Sequence, residues 1–179
     1  MFENMPENVA ESELQVIVQN AAGVLYQELE DSLMPTPKMK NILDERTYDN
    51  KIEAVEPSLE NVSEFLQRSV KRAHFGAATV VGIVIIFKRV CAACSVHVFN
   101  WRILLLLSIL LAQKVIDDLS LGTNQFKELF AYATRKTPSV VLATPDIVKM
   151  ELDLLDLLEY RVNVSSAEHA AWYCTLRGV

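Results

Sequence analysis

Apolar residues recur along this chain at helical spacing, in long stretches separated by short charged or proline-bearing breaks. Leu14, Ile17, Val18, Ala21, Leu25, Leu29 and Leu33 repeat every three or four positions and predict an amphipathic helix over about 9–33. Ser12 with Gln15, or Asn8 with Glu11, offers a capping box, and Pro35 and Pro37 stop the helix. Residues 34–57 carry much charge and little periodicity, which predicts a connecting loop.

Further helices follow closely. Ser58 can cap a helix over 59–73, with Leu59, Val62, Leu66, Ser69 and Ala73 inward and a Glu64/Arg68 pair outward. The stretches 77–94 and 99–117 are apolar on nearly every side, as helices surrounded by other helices are. Gly122 breaks the chain, and Thr123 starts a short helix bearing Phe126, Leu129, Phe130 and Ala133. Thr144-Pro145 then reads as an N-cap followed by proline at the first helical position, opening a helix to about Tyr160. Ser165, capped with Glu168, begins a last helix carrying Ala170, Ala171, Trp172 and Leu176.

Composition agrees with an all-α fold. Among 179 residues, 51% are hydrophobic and only 5 are Gly and 6 Pro, enough apolar material for one domain with a proper core. A formal charge of −6 argues against a nucleic-acid partner, which would need clustered Lys and Arg against phosphates. The apolar runs 77–87 and 103–112 are each about half the ~20 residues that span hydrocarbon, so no membrane span is expected. Three cysteines and an acidic N-terminal Met1-Phe2-Glu3-Asn4 point to a reducing, intracellular setting, cytoplasmic or nuclear. The sequons at Asn61 and Asn163 are then chance matches.

Two charges stand where apolar residues are expected. On a helical wheel of 145–160, Ile147, Met150, Leu154, Leu155, Leu157 and Leu158 form one broad face opposite Lys149, Asp153, Asp156 and Glu159. Glu151 falls near the middle of the apolar arc, where an ionised carboxylate is costly unless satisfied. Lys114 follows the long uncharged run from Ile103 to Gln113. Either the two pair with each other as a structural salt bridge, or both sit at the edge of the core and point toward one bound partner.

The same residues carry a family likeness. L-L-A-Q-K-V-I-D-D (110–118) resembles the core helix of the cyclin box, which ends in Leu-Leu-Ala-Ser-Lys and acidic residues. K-M-E-L-D-L-L-D-L-L-E-Y-R-V-N-V (149–164) resembles its fifth helix, and E-F-L-Q-R (64–68) and F-K-R-V (87–90) stand where the box has its first two. The ending N-V-S-S-A-E-H-A-A-W-Y-C-T-L-R is similar to cyclin Y and the phosphate-starvation-type (P-type) cyclins. The likeness covers about 58–177. It implies an all-α, single cyclin-box five-helix domain with an extra N-terminal helix and a C-terminal helix, divided as 1–57 (helix and charged connecting loop) and 58–179 (box plus C-terminal helix). It further implies a regulatory subunit with no enzymatic chemistry or cofactor, which activates a cyclin-dependent protein kinase by holding its regulatory helix in the active position. The kinase-binding residues would be Lys114 and Glu151, with apolar contacts at Val115, Leu155 and Tyr160. A cyclin-like scaffold in transcription or another protein assembly, without kinase activation, is the alternative. Two departures stand out: Gln113 replaces the usual serine or alanine, and Leu66-Gln67-Arg68-Ser69-Val70 replaces the family's Met-Arg-Ala-Ile-Leu patch.

Other constellations weigh less. Cys91 and Cys94 with His97 lack the second ligand pair of a zinc site and read as packing residues. His74 and His169 are isolated, and Asp117-Asp118 reads as a solvated helix end or a kinase contact. Thr36-Pro37, Thr137-Pro138 and Thr144-Pro145 are minimal proline-directed phosphorylation sites.

Overall fold

A computed structural model describes residues 7–117 and 121–178, with the side chains of 7–9 excepted. It is all-α: α1 (Glu7–Ser32), α2 (Leu59–Ala73), α3 (Ala77–Ala93), α4 (Trp101–Ile116), α5 (Thr123–Ala133), α6 (Thr144–Leu157) and α7 (Ser166–Arg177). A single 3-10 turn, Glu45–Thr47, lies between α1 and α2. The one extended pairing among the described residues is an isolated bridge between Leu33 and Val96.

α4 is the centre of the molecule. Every residue from Trp101 to Gln113 is buried, and it packs against α3, α5 and α6. α3, buried continuously from Thr79 to Phe87, lies against α4, α1 and α7. Gly82 permits the α3–α4 contact: a Cβ there would stand 2.9 Å from Ile116 Cγ1 and 3.5 Å from Ala112 Cβ. Ser108 stays in the core by donating to the Leu104 carbonyl (2.8 Å), the back-bond open to a helical serine. α2 presents Val62, Phe65, Leu66 and Val70 inward, and Phe65 meets the ring of Phe130 on α5 edge-on at 6.2 Å. α1 and α7 close the far side, tied by Asn20 to the Leu176 carbonyl (2.7 Å) and Tyr173 to Glu13 (2.7 Å).

Local chemistry explains most helix ends and corrects several expectations. Ser58 Oγ accepts from the Asn61 amide, and Ser165 Oγ from that of Glu168, both at 3.1 Å, as the sequence predicts. Ser12, however, falls inside α1, which already runs from Glu7. The side chain of Asn8 lies outside the described residues. At α6 the cap is Ala143, not Thr144: Asp146 accepts from the Ala143 amide at 3.2 Å, while the Thr144 hydroxyl donates to Asn124. α6 ends at Leu157, short of Tyr160, because Glu159 (φ 51°) and Tyr160 (φ 57°) turn into the left-handed region. Leu59, placed inward by its spacing, is 50% exposed on the first turn of α2, and Leu157 is 49% exposed. Leu33 falls just past the end of α1 and is also exposed.

The segment read as a loop does more than connect. Leu43, Asp44, Glu45 and Val55 are buried in it, and the Val55 carbonyl accepts from the indole N–H of Trp101 at 2.7 Å. Among the described residues no helix is long and apolar enough to cross a membrane.

Candidate functional site

α4 and α6 bring Lys114 and Glu151 together at the rim of the core. Lys114 Nζ lies 2.5 Å from Glu151 Oε1, with the lysine side chain 40% exposed and the glutamate side chain 12%. Both sequence alternatives contain part of this geometry: the charges satisfy each other, and they do so at the edge of the apolar interior. Lys114 reaches this place because α4 emerges from the core in its last turn, where a cation also complements the exposed carbonyls. Glu151 reaches it because Ile147, Met150 and Leu154, which share its face, anchor α6 inward.

An ammonium offers three donors and a carboxylate two oxygens, and the pair uses one of each. The lysine side chain, 40% exposed, keeps its head within reach of solvent beside the more enclosed carboxylate. Val115 and Leu155 are half-buried. Val148 (40% exposed) and Leu152 (53%) extend an apolar ridge with Leu155 along α6 at i, i+4, i+7. This ridge was not visible on the wheel, where neither residue falls on the inward arc.

Tyr160 follows Glu159 into the left-handed region. It is 61% exposed in the turn after α6, its amide donates to the Leu155 carbonyl (2.9 Å), and it lines an open groove with Arg89, Ala92 and Ala93. Arg89 fixes that turn by donating to the carbonyls of Arg161 (3.2 Å) and Asn163 (2.9 Å) and by pairing with Glu168 (2.6 Å).

A second polar cluster, missed in the sequence, lies at the opposite end of α4. Arg102 donates through Nε to Glu45 Oε1 (2.9 Å) and through Nη1 to Thr137 Oγ1 (2.8 Å) and to the Pro138 carbonyl. Burial pushes the Glu45 carboxyl above the usual carboxylate range, with Arg102 pulling against it. Asp44 caps the 3-10 turn by accepting from the Arg46 amide (2.9 Å). His97 Nδ1 accepts from the Phe99 amide at 3.3 Å, and burial holds the ring's pKa below its ordinary value.

The thiols are packing groups in this arrangement. Burial pushes Cys91 up to about 12 and Cys94 up to about 11. Among the described residues no three His, Cys, Asp or Glu side chains gather into a metal-binding group. Asp117 accepts from Thr79 Oγ1 at 2.7 Å, whereas Asp118 lies outside the described residues. His169 Nε2 meets the Ala78 carbonyl at 3.0 Å. No family model matches the chain, and no solved structure matches it.

Proposed function

We propose that this chain is a cyclin-like regulatory subunit that binds and activates a cyclin-dependent protein kinase. The observation carrying the reading is the Lys114–Glu151 pair at the core's edge, half-open to solvent and flanked by the apolar ridge Val148–Leu152–Leu155. The order α2 to α6, with α4 buried from Trp101 to Gln113, fits the five helices that the likeness of 110–118 and 149–164 implies.

In this reading the ridge receives the apolar face of the kinase's regulatory helix, and the spare donors of Lys114 and the second oxygen of Glu151 engage its backbone. A kinase alone leaves that helix swung out, so the Lys–Glu ion pair that positions ATP is not formed. A rigid helical partner that binds only the swung-in form shifts the population by its differential affinity. The cyclin contributes shape and two charges, and the kinase contributes the catalysis. Tyr160, exposed on the turn after α6, adds the further contact that the likeness implies.

Co-expression with candidate cyclin-dependent kinases, followed by pull-down and a kinase assay, tests this. Lys114→Glu and Glu151→Lys should each lose the kinase; if both bind as well as wild type, the site is wrong.

A further inference from the structure

The segment between α5 and α6 is shaped like a β-strand that lacks a neighbour. Val140 and Leu142 are buried (5% and 3% exposed), while Val141 between them is 93% exposed. Such alternation is the signature of extended chain. The amides of Val140, Val141 and Leu142 donate no hydrogen bond within the described residues. The segment is nevertheless fixed at both ends. Upstream, the buried Arg102 guanidinium holds the Pro138 carbonyl, and downstream the Ala143 amide is held by Asp146. Side-chain burial and two terminal anchors keep the chain extended, without any ladder of backbone bonds.

Beside it runs a groove walled by α5, to which Lys127, Ala131 and Arg135 contribute. Lys127 and Arg135 are exposed, and neither forms an ion pair within the described residues. Arg135 is instead steadied against the Tyr132 ring, 4.7 Å from its centroid. The groove's carboxylate, Glu128, is directed at Arg72, 3.9 Å away. In a chain of net charge −6, two exposed cations thus stand beside three backbone amides that donate to nothing among the described residues, with Glu128 in the same groove and Glu64 within the electrostatic reach of Arg135.

From these features we infer that the groove between α5 and residues 139–142 binds an extended, carboxylate-bearing peptide segment of a partner protein by strand addition. Main-chain pairing to Val140–Leu142 supplies affinity, and Lys127 and Arg135 select acidic side chains. Because the receiving edge is already ordered, the peptide alone bears the ordering cost. A second copy of this chain is the poorer occupant, since symmetric edge pairing would bring the same cations of both copies together.

Fluorescence anisotropy with a labelled Asp-Val-Glu-Val-Asp-Val peptide, alongside a Lys-Val-Lys-Val-Lys-Val control, tests the inference on the full chain. The acidic peptide should bind, more weakly as salt rises, and amide resonances of Val140–Leu142 should shift on titration. Lys127→Glu with Arg135→Glu should weaken binding at least tenfold. Val141→Pro removes a donor yet suits extended backbone at Val140, so it should also weaken binding, whereas Val141→Thr should not. Unchanged thermal midpoints would show that these variants fold. The kinase-site changes Lys114→Glu and Glu151→Lys should leave peptide binding intact, which separates this surface from the proposed kinase contact. Three results would overturn it: no binding at millimolar peptide, equal binding of the basic control, or a dimer of the free protein that Val141→Pro dissociates.

Discussion

Arg102 and Glu45 form a buried ion pair across 57 residues of sequence, with side chains 2% and 0% exposed. It fastens the segment before α2 to the first turn of α4. Removing one partner strands the other charge in the interior, which costs about 3–5 kcal/mol. In a protein of this size each kcal/mol lowers Tm by about 2–4 °C, so Arg102→Met should lose on the order of 10 °C. Adding Glu45→Leu to that variant should recover most of the loss, because neither charge is then left alone. Thermal and urea unfolding of the single and double variants check this.

His97 sits 1% exposed between Asp44 and Arg46, and its depressed pKa sets the sign of a pH effect. The unfolded chain takes up a proton near the ordinary histidine value, before the folded one does. Its contribution to stability is therefore full above about pH 6.5 and is lost as pH falls toward the lower folded pKa. Protonation would also take from Nδ1 the lone pair that accepts the Phe99 amide. Between pH 7.5 and 5.5 the urea midpoint of wild type should fall further than that of His97→Gln; equal falls would place the titration elsewhere.

The three cysteines should separate by reactivity. The thiolate is the reactive form, and burial keeps Cys91 and Cys94 protonated at pH 8, with pKa values of about 12 and about 11. Cys174 is exposed on α7. Native protein should therefore release one fast equivalent of a colorimetric disulfide reagent at pH 8, and three after denaturation. A Cys174→Ser variant should show no fast phase.

Helices were legible wherever one residue decides locally. Ser58 and Ser165 cap as their spacing requires, and the uninterrupted apolar runs of α3 and α4 announce burial on every side. Lys114 and Glu151 were legible because each breaks an apolar pattern. Glu45 was not: in a charged stretch, nothing distinguishes the one carboxylate whose partner, Arg102, lies on a helix far downstream. The end of α6 was missed because consecutive left-handed residues at Glu159 and Tyr160 carry no glycine signal, and are held by the Leu155 carbonyl and by Arg89 acting on the turn that follows. Val148 and Leu152 went unmarked because a helical wheel registers charges out of place more readily than apolar residues on the solvent side.

Exchanging the two charges of the rim pair separates stability from recognition. With Lys114 40% exposed, the pair adds only about 0–1 kcal/mol to the fold. The double variant Lys114→Glu/Glu151→Lys restores an ion pair of opposite polarity, so its urea midpoint should lie near that of wild type. A partner whose groups match the original polarity would now meet a carboxylate where it expects an ammonium, and the reverse on α6. Kinase binding should then stay lost in the double variant even though the fold is intact. Recovery of binding together with stability would mean that the pair serves only to join α4 to α6, and the proposed kinase site would be overturned.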